Sequence, residues 1–171
     1  MSSSTAGFAG WDHPQPHVLP MTVGSASIDL MGHANNVEYL RWLESVAWQH
    51  SNVLGLDWAA YQRLDRAMVA RHTELTYLAP AFAGDELLIG TWIVENDQKL
   101  SIVRQYQLVR PQDGKTLLRG RTQWVCVEIS TGKPKRMPAE FLVGYRVTIA
   151  GQVVADQDAT DQPAARSEPR G

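Results

Sequence analysis

In the stretch "SIDLMGHANNVEYLRWLESVAWQHS" a lone carboxylate, Asp29, precedes Gly32, His33 and the pair Asn35-Asn36, and an apolar-periodic run follows. A carboxylate so placed can act as general base on a water or attack a carbonyl carbon itself. The asparagines stand where a helix would begin. The first N–H groups of a helix have no partner inside it, and the dipole puts partial positive charge there. A substrate carbonyl held between Asp29 and that helix end would meet an attacking oxygen on one side and a seat for negative charge on the other. One fixed backbone donor aimed at a developing oxyanion is worth about 2.7–4 kcal/mol of barrier. A helix end in open water gives a charge only about 0.3–1 kcal/mol, so such a site has to exclude water. Side-chain capping by Asn35 and Asn36 is compatible with that role: side chains cap while the backbone does chemistry.

Other reactive arrangements are poorly supported. His33 would need a nucleophile and an orienting acid for triad chemistry, yet the chain has no Gly-x-Ser-x-Gly elbow and no reactive-cysteine motif. It is left to orient the loop or to touch substrate or water. His72 and Glu74 alternate on one face of an expected strand and could be imagined with Asp29 around a metal, but no tight His/Cys spacing supports a metal site, and none is expected. Lys133, Lys135 and Arg136 cluster in "TGKPKRM", either as a solvated loop or as a local basic surface for phosphates.

The elements that must position these groups follow from periodicity. From Val37 to about Leu54 the apolar residues Tyr39, Leu40, Leu43, Val46, Ala47, Val53 and Leu54 recur at spacings of three and four, which predicts a helix over 36–54. Asn35 is its N-cap, Glu38 the reciprocal partner of a capping box, and Gly55 its stop. "HVLPMTVG" before it suits a strand at a sheet edge because of Pro20, and "DWAAYQRL" a short second helix. Beyond that the period changes to two in "AMVARHTELTYL", "ELLIGTWIVEN", "LSIVRQYQLVR" and "TLLRGRTQWVCVEIS". The linkers "DQK", "PQDGK" and "STGKP" have hairpin length and composition. "PAEFLVGY" predicts a closing helix with Pro138 at its start. The expected class is α+β: strand, long helix, then a run of antiparallel strands curved around that helix. Residues 1–16 read as a flexible or irregular lead, 17–150 as one domain, and 151–171 as a disordered tail.

Bulk properties bound the function. A chain of 171 residues with 44% hydrophobic and 20% charged residues is long enough for one domain with a substantial core. A net charge of -2 argues against a general nucleic-acid binder. The single Cys126 cannot form an internal disulfide, no stretch has the length of a membrane span, and no secretory signal is visible at the start, so a cytoplasmic protein is expected.

The pattern D-x-x-G-H-x-N-N-x-x-Y-x-x-W, formed by Asp29, Gly32, His33, Asn35, Asn36, Tyr39 and Trp42, resembles the signature of hotdog-fold acyl-CoA thioesterases of the 4-hydroxybenzoyl-CoA thioesterase type. "TELTYLAPAFAGDEL" and "VCVEISTGKPKRMPAEF" are similar to that family as well. The resemblance covers about residues 18–146. It implies a hotdog fold, a long central helix wrapped by a curved antiparallel sheet, assembled as a homodimer or homotetramer. It also implies hydrolysis of a thioester of CoA, or of acyl carrier protein, with Asp29 as the catalytic carboxylate and the N–H near Asn36 as the oxyanion donor. CoA would then be substrate moiety and product, not a resident cofactor. Many members carry a second acid two residues before the catalytic one; Ser27 stands there in this chain.

On this reading Asp29, His33 and Asn36 are the catalytic candidates, and Asn35, Tyr39, Glu74 and Thr76 the substrate-binding ones. Glu74 and Thr76 would come from a second subunit to form the opposing wall of the acyl cleft. Lys133, Lys135 and Arg136 are the candidates for the CoA phosphates. Two rivals use the same cleft. One is a hydratase or dehydratase acting on enoyl thioesters, which pairs an acid with a histidine about five residues on, whereas Asp29 and His33 are four apart. The other is an acyl-CoA-binding module without catalysis, in which an unpaired carboxylate near an acyl group would have no purpose.

Overall fold

The Asn35 side chain accepts a hydrogen bond from the Val37 N–H (3.1 Å) and starts helix α1, Asn36–Val53. Gly55, at a left-handed φ of 76°, turns the chain away just past its end. The computed structural model describes residues 8–149; the expectations for residues 1–7 and for the tail from residue 150 fall outside them. Around α1 stand β1 (His17–Thr22), α2 (Trp58–Leu64), β2 (Ala67–Tyr77), β3 (Glu86–Asn96), β4 (Ser101–Arg110), β5 (Lys115–Val127) and α3 (Ala139–Gly144).

The strands form one antiparallel sheet in the order β1-β3-β4-β5-β2. Only β3, β4 and β5 are a meander, so the expectation of consecutive strands as sheet neighbours needs correcting. β2 pairs with β5 at one edge, and β1 flanks β3 at the other, where Pro20 is tolerated. The segment 78–85 carries the chain from edge strand β2 across to β3, the strand beside the other edge, past the start of α1. It is pinned there: the Ala34 N–H donates to the Ala81 carbonyl (2.9 Å), and the Ala81 N–H donates to the Tyr39 hydroxyl (3.0 Å). "STGKP" likewise leads to no further strand. A bridge between Val127 and Pro134 closes that loop before α3.

One face of the sheet carries α1. Leu43, Val46 and Ala47 pack with Leu87, Ile89, Tyr106, Leu108 and Leu118 in a first core. Gly120 is needed beneath the helix, since a Cβ there would lie 2.9 Å from Leu43 Cδ1. A second core joins α2 and α3 to the sheet through Tyr61, Met68, Ile93, Ile102, Cys126, Phe141 and Tyr145. Burial pushes the Cys126 thiol up to about 11, so it stays protonated and unreactive at neutral pH.

The opposite face is partly covered by residues 8–16, which have no regular structure but are tied down. Trp11 meets Trp92 edge to face, Asp12 pairs with Arg119 (2.7 Å), and the Trp92 indole N–H donates to the Pro14 carbonyl (3.0 Å). The aromatic and acidic side chains of this irregular segment find their partners on strands β3 to β5.

Candidate active site

Asp29 opens a tight turn. Its N–H donates to the His33 carbonyl (2.8 Å), Ile28 and Ala34 bridge, and Gly32 adopts φ 81° inside the turn. The Asp29 carboxylate is half-buried, and Oδ1 accepts the N–H groups of Met31 (2.8 Å) and His33 (3.3 Å). That is the Asx-turn use of a loop aspartate. It occupies one oxygen only; among the described residues nothing donates to Oδ2. The turn thus fixes the orientation of the carboxylate and leaves one oxygen available.

The beginning of α1 can be accounted for donor by donor. The Ala34 N–H goes to Ala81, the Asn35 N–H to the Ser27 carbonyl (2.8 Å), the Val37 N–H to the Asn35 side chain, and the Glu38 N–H to the Asn35 carbonyl (2.9 Å). The Asn36 N–H is the exception: it has no acceptor among the described residues. Its own carbonyl, in the following peptide, accepts from the Tyr77 hydroxyl (3.2 Å), which ties the first turn of α1 to the end of β2. The capping box expected from Glu38 does not form. Ser27 supplies the carbonyl for the Asn35 N–H, and its hydroxyl donates to Glu38 Oε2 (3.1 Å). Ser27, where a second acid was considered, thus ties the turn to the helix.

Asp29, Asn35, Asn36 and Tyr39 line one cleft of about 430 Å³, together with Tyr77 and Pro80. Tyr39 is 3% exposed, and burial, the largest influence on its phenol, raises its pKa, so it is neutral. Its ring meets Tyr77 edge to face (5.4 Å), forming a wall beside Asn36. His33 also borders the cleft, with its ring against Phe82 (5.3 Å). It contacts Asp29 through its backbone.

Other candidates are placed elsewhere. Side chains alternate along β2, and Leu75, opposite Gly120, faces α1. Glu74 and Thr76 therefore point to the opposite face of the sheet, in a shallow hollow with Gln105, Arg119 and Arg121. They do not line the Asp29 cleft of their own chain. His72 bonds Glu74 there (3.1 Å), away from Asp29. Lys133, Lys135 and Arg136 lie in the exposed loop after β5, where Lys135 is paired with Glu128 (2.7 Å). That loop begins beside Ala67, while the cleft lies beside Tyr77, roughly 33 Å away along β2 at about 3.3 Å per residue. Tyr77 and the strap after it escaped the sequence reading. The period-two parity of "ELTYL", with Leu75 as the inward residue, was the available signal.

Residues 23–144 match the family model described as the thioesterase-like superfamily. The chain belongs to that superfamily. It is accordingly a thioester hydrolase. Among curated proteins it is similar to the long-chain acyl-CoA thioesterase FadM of Escherichia coli (strain K12), 25% identical over 115 residues that cover 67% of this chain and 85% of that one. Two solved structures share the fold. The 1,4-dihydroxy-2-naphthoyl-CoA thioesterase Slr0204 from Synechocystis has a TM-score of 0.69 and 19% identity, covering 77% of this chain and 96% of that one. The protein SAV2348 from Staphylococcus aureus, solved in complex with CoA, has a TM-score of 0.73 and 18% identity, covering 89% and 96%. The α+β class and the five-stranded antiparallel sheet are thus those of hotdog thioesterases.

Proposed function

We propose that the chain is a hotdog enzyme of the 4-hydroxybenzoyl-CoA thioesterase type that hydrolyses an acyl-CoA thioester to the free acid and CoA. The observation that carries this reading is the single unused N–H in the first turn of α1, that of Asn36, in the same cleft as an Asp29 carboxylate with one oxygen left over. The thioester oxygen accepts from the Asn36 N–H. Asp29 Oδ2 takes a proton from a water whose oxygen attacks the carbonyl carbon, and the tetrahedral oxyanion stays on the Asn36 donor. Collapse breaks the carbon–sulfur bond, and the proton held by Asp29 passes to the departing thiolate. Direct attack by Asp29 to give a mixed anhydride, later opened by water, uses the same oxygen and the same donor.

CoA enters as the substrate's handle and leaves as product, with no resident cofactor; a thioester of acyl carrier protein is the alternative carrier. The unpaired outer edge of β2 is the natural seam for a homodimer, itself able to pair into a homotetramer, around α1 as the central helix. Antiparallel pairing along that edge would bring the Lys133–Arg136 loop of one copy towards the cleft of the other, within reach of nucleotide phosphates. A cytoplasmic location fits these substrates. No described helix is long and apolar enough to cross a membrane.

The test is thiol release measured across acyl-CoAs of different length and aromaticity, with Asp29→Asn beside the unmodified chain. The expected result is release for the unmodified chain and loss in the variant, with circular dichroism and oligomeric state unchanged. Asp29→Asn at full turnover would remove Asp29 from the chemistry.

A further inference from the structure

A second group of polar side chains lies at the other end of α1, separate from the Asp29 cleft. Ser51 is fifteen residues after Asn36, which at about 1.5 Å per residue is roughly 22 Å along the helix. Arg104, on the helix-facing side of β4, is only 2% exposed and forms no ion pair with any carboxylate among the described residues. Its Nη1 donates to His50 Nδ1 (2.8 Å), its Nη2 to Ser51 Oγ (3.0 Å), and its guanidinium lies 5.5 Å from the centre of the Tyr145 ring. All of these partners are neutral. A buried cation without a counter-charge is costly, and neutral acceptors with one aromatic face offset that only in part.

The hydrogen bonds around it all run one way. Tyr145 donates to Ser51 Oγ (3.0 Å), so Tyr61, 2.6 Å from the Tyr145 hydroxyl, must donate to Tyr145. Ser51 then accepts from both Arg104 and Tyr145, and its own hydroxyl proton finds no acceptor among the described residues, although Ser51 is 5% exposed. The remaining guanidinium N–H groups find none either. These donors border a small cavity of about 20 Å³ walled by Ala47, Trp48, Met68 and Trp124. The Trp124 indole N–H is also buried without a partner, but the Tyr106 hydroxyl beside it is in the same state, and a small adjustment would let them satisfy each other. Arg104 and Ser51 are the groups left with unspent donors.

We propose that Arg104 and Ser51 bind one small monovalent anion, of halide or formate size, in this cavity. Such an ion supplies the missing negative charge and takes the unspent protons. A water molecule fits the volume and its oxygen accepts such protons, but it brings no negative charge to set against the guanidinium and adds two donors of its own. A phosphate group is too large for the space. The ion is held apart from the Asp29 chemistry and stabilises the contact between the second half of α1 and the sheet.

Crystals of the unmodified protein grown or soaked in bromide provide the direct test. The expected result is an anomalous peak within hydrogen-bond distance of Arg104 and Ser51. Bromide-free density explained by water alone, with bromide in excess, overturns the proposal. In solution, the melting temperature at constant ionic strength should rise with chloride or formate replacing gluconate, which is too bulky to enter. Ser51→Ala, which suits a helix, should weaken that dependence, and Arg104→Met should abolish it. A rise in both variants equal to that of the unmodified chain would show that the salt acts elsewhere and would also overturn the assignment. If Arg104→Met does not fold, the bromide crystals and Ser51→Ala still decide.

Discussion

Asn36→Pro removes the Asn36 N–H from the candidate site together with the carboxamide, and the effect of the second can be subtracted. Asn36 is the first residue of α1, the position at which proline is best tolerated because its missing N–H has no helical partner in any case. The residue before it already suits a proline: Asn35 has φ -61° and ψ 139°, in the extended region that a following proline imposes. The Asn36 carbonyl, which Tyr77 holds, is retained. Stability should therefore change little, whereas the oxyanion loses its backbone donor, a loss of about 2.7–4 kcal/mol in the transition state or roughly 100- to 1000-fold in kcat. Asn36→Ala is the control, since it deletes the side chain and keeps the N–H, and should stay within a few-fold of the unmodified chain. The assay is thiol release under saturating acyl-CoA, with thermal melts on all three proteins. If Asn36→Pro folds and turns over normally, the account of α1 as the oxyanion site is wrong.

Two further outcomes follow from the core. Burial first, then the nearby Arg104 charge, lowers the pKa of His50 from 6.5 to about 3, and its Nδ1 must stay unprotonated to accept from Arg104. The unfolded chain therefore binds this proton at higher pH than the folded one. Stability is full above about pH 6.5 and falls as the pH drops towards 3, with about 2 kcal/mol lost between pH 7 and 5 from His50 alone, or a melting point roughly 4–8 °C lower. His17, stacked on His50 at 4.8 Å and also lowered chiefly by burial, adds to the trend. His50→Asn, which keeps a neutral acceptor, should flatten it, and an equally steep pH dependence in that variant would count against this assignment. On the other face of the sheet, a Cβ at Gly90 would lie 2.6 Å from Trp11 Cζ3. Gly90→Ala should displace the indole, cost about 1–3 kcal/mol, and speed hydrogen exchange in residues 8–16; unchanged protection there would refute the contact.

Which parts of this were legible before the structure follows from how local each signal is. The cap at Asn35, the period of α1, the stop at Gly55 and the hairpins between β3, β4 and β5 are set by residues within a few positions of one another, and the folded chain keeps them. The capping box does not form because the competing partner, the Ser27 carbonyl, comes from outside the helix. The order of the strands departs from the chain order for the same kind of reason. Short hairpin linkers fix neighbours, but the segment 78–85 does not say by its composition between which strands the next one will lie.

The sequence by itself determined a carboxylate in a glycine turn, a helix beginning a few residues later, and a sheet to carry them, because turn chemistry, capping and periodicity act over short range. Only the tertiary structure decided which N–H at the start of the helix stays unspent, since that depends on the Ser27 and Ala81 carbonyls arriving from two other segments. It also decided that Glu74 and Thr76 turn away from the cleft while Tyr77 closes it, because the face a strand side chain takes is fixed by what the whole sheet has on either side. The same holds for Arg104, an ordinary residue in an alternating strand until the helix laid over it buries it without a carboxylate in ion-pair reach among the described residues.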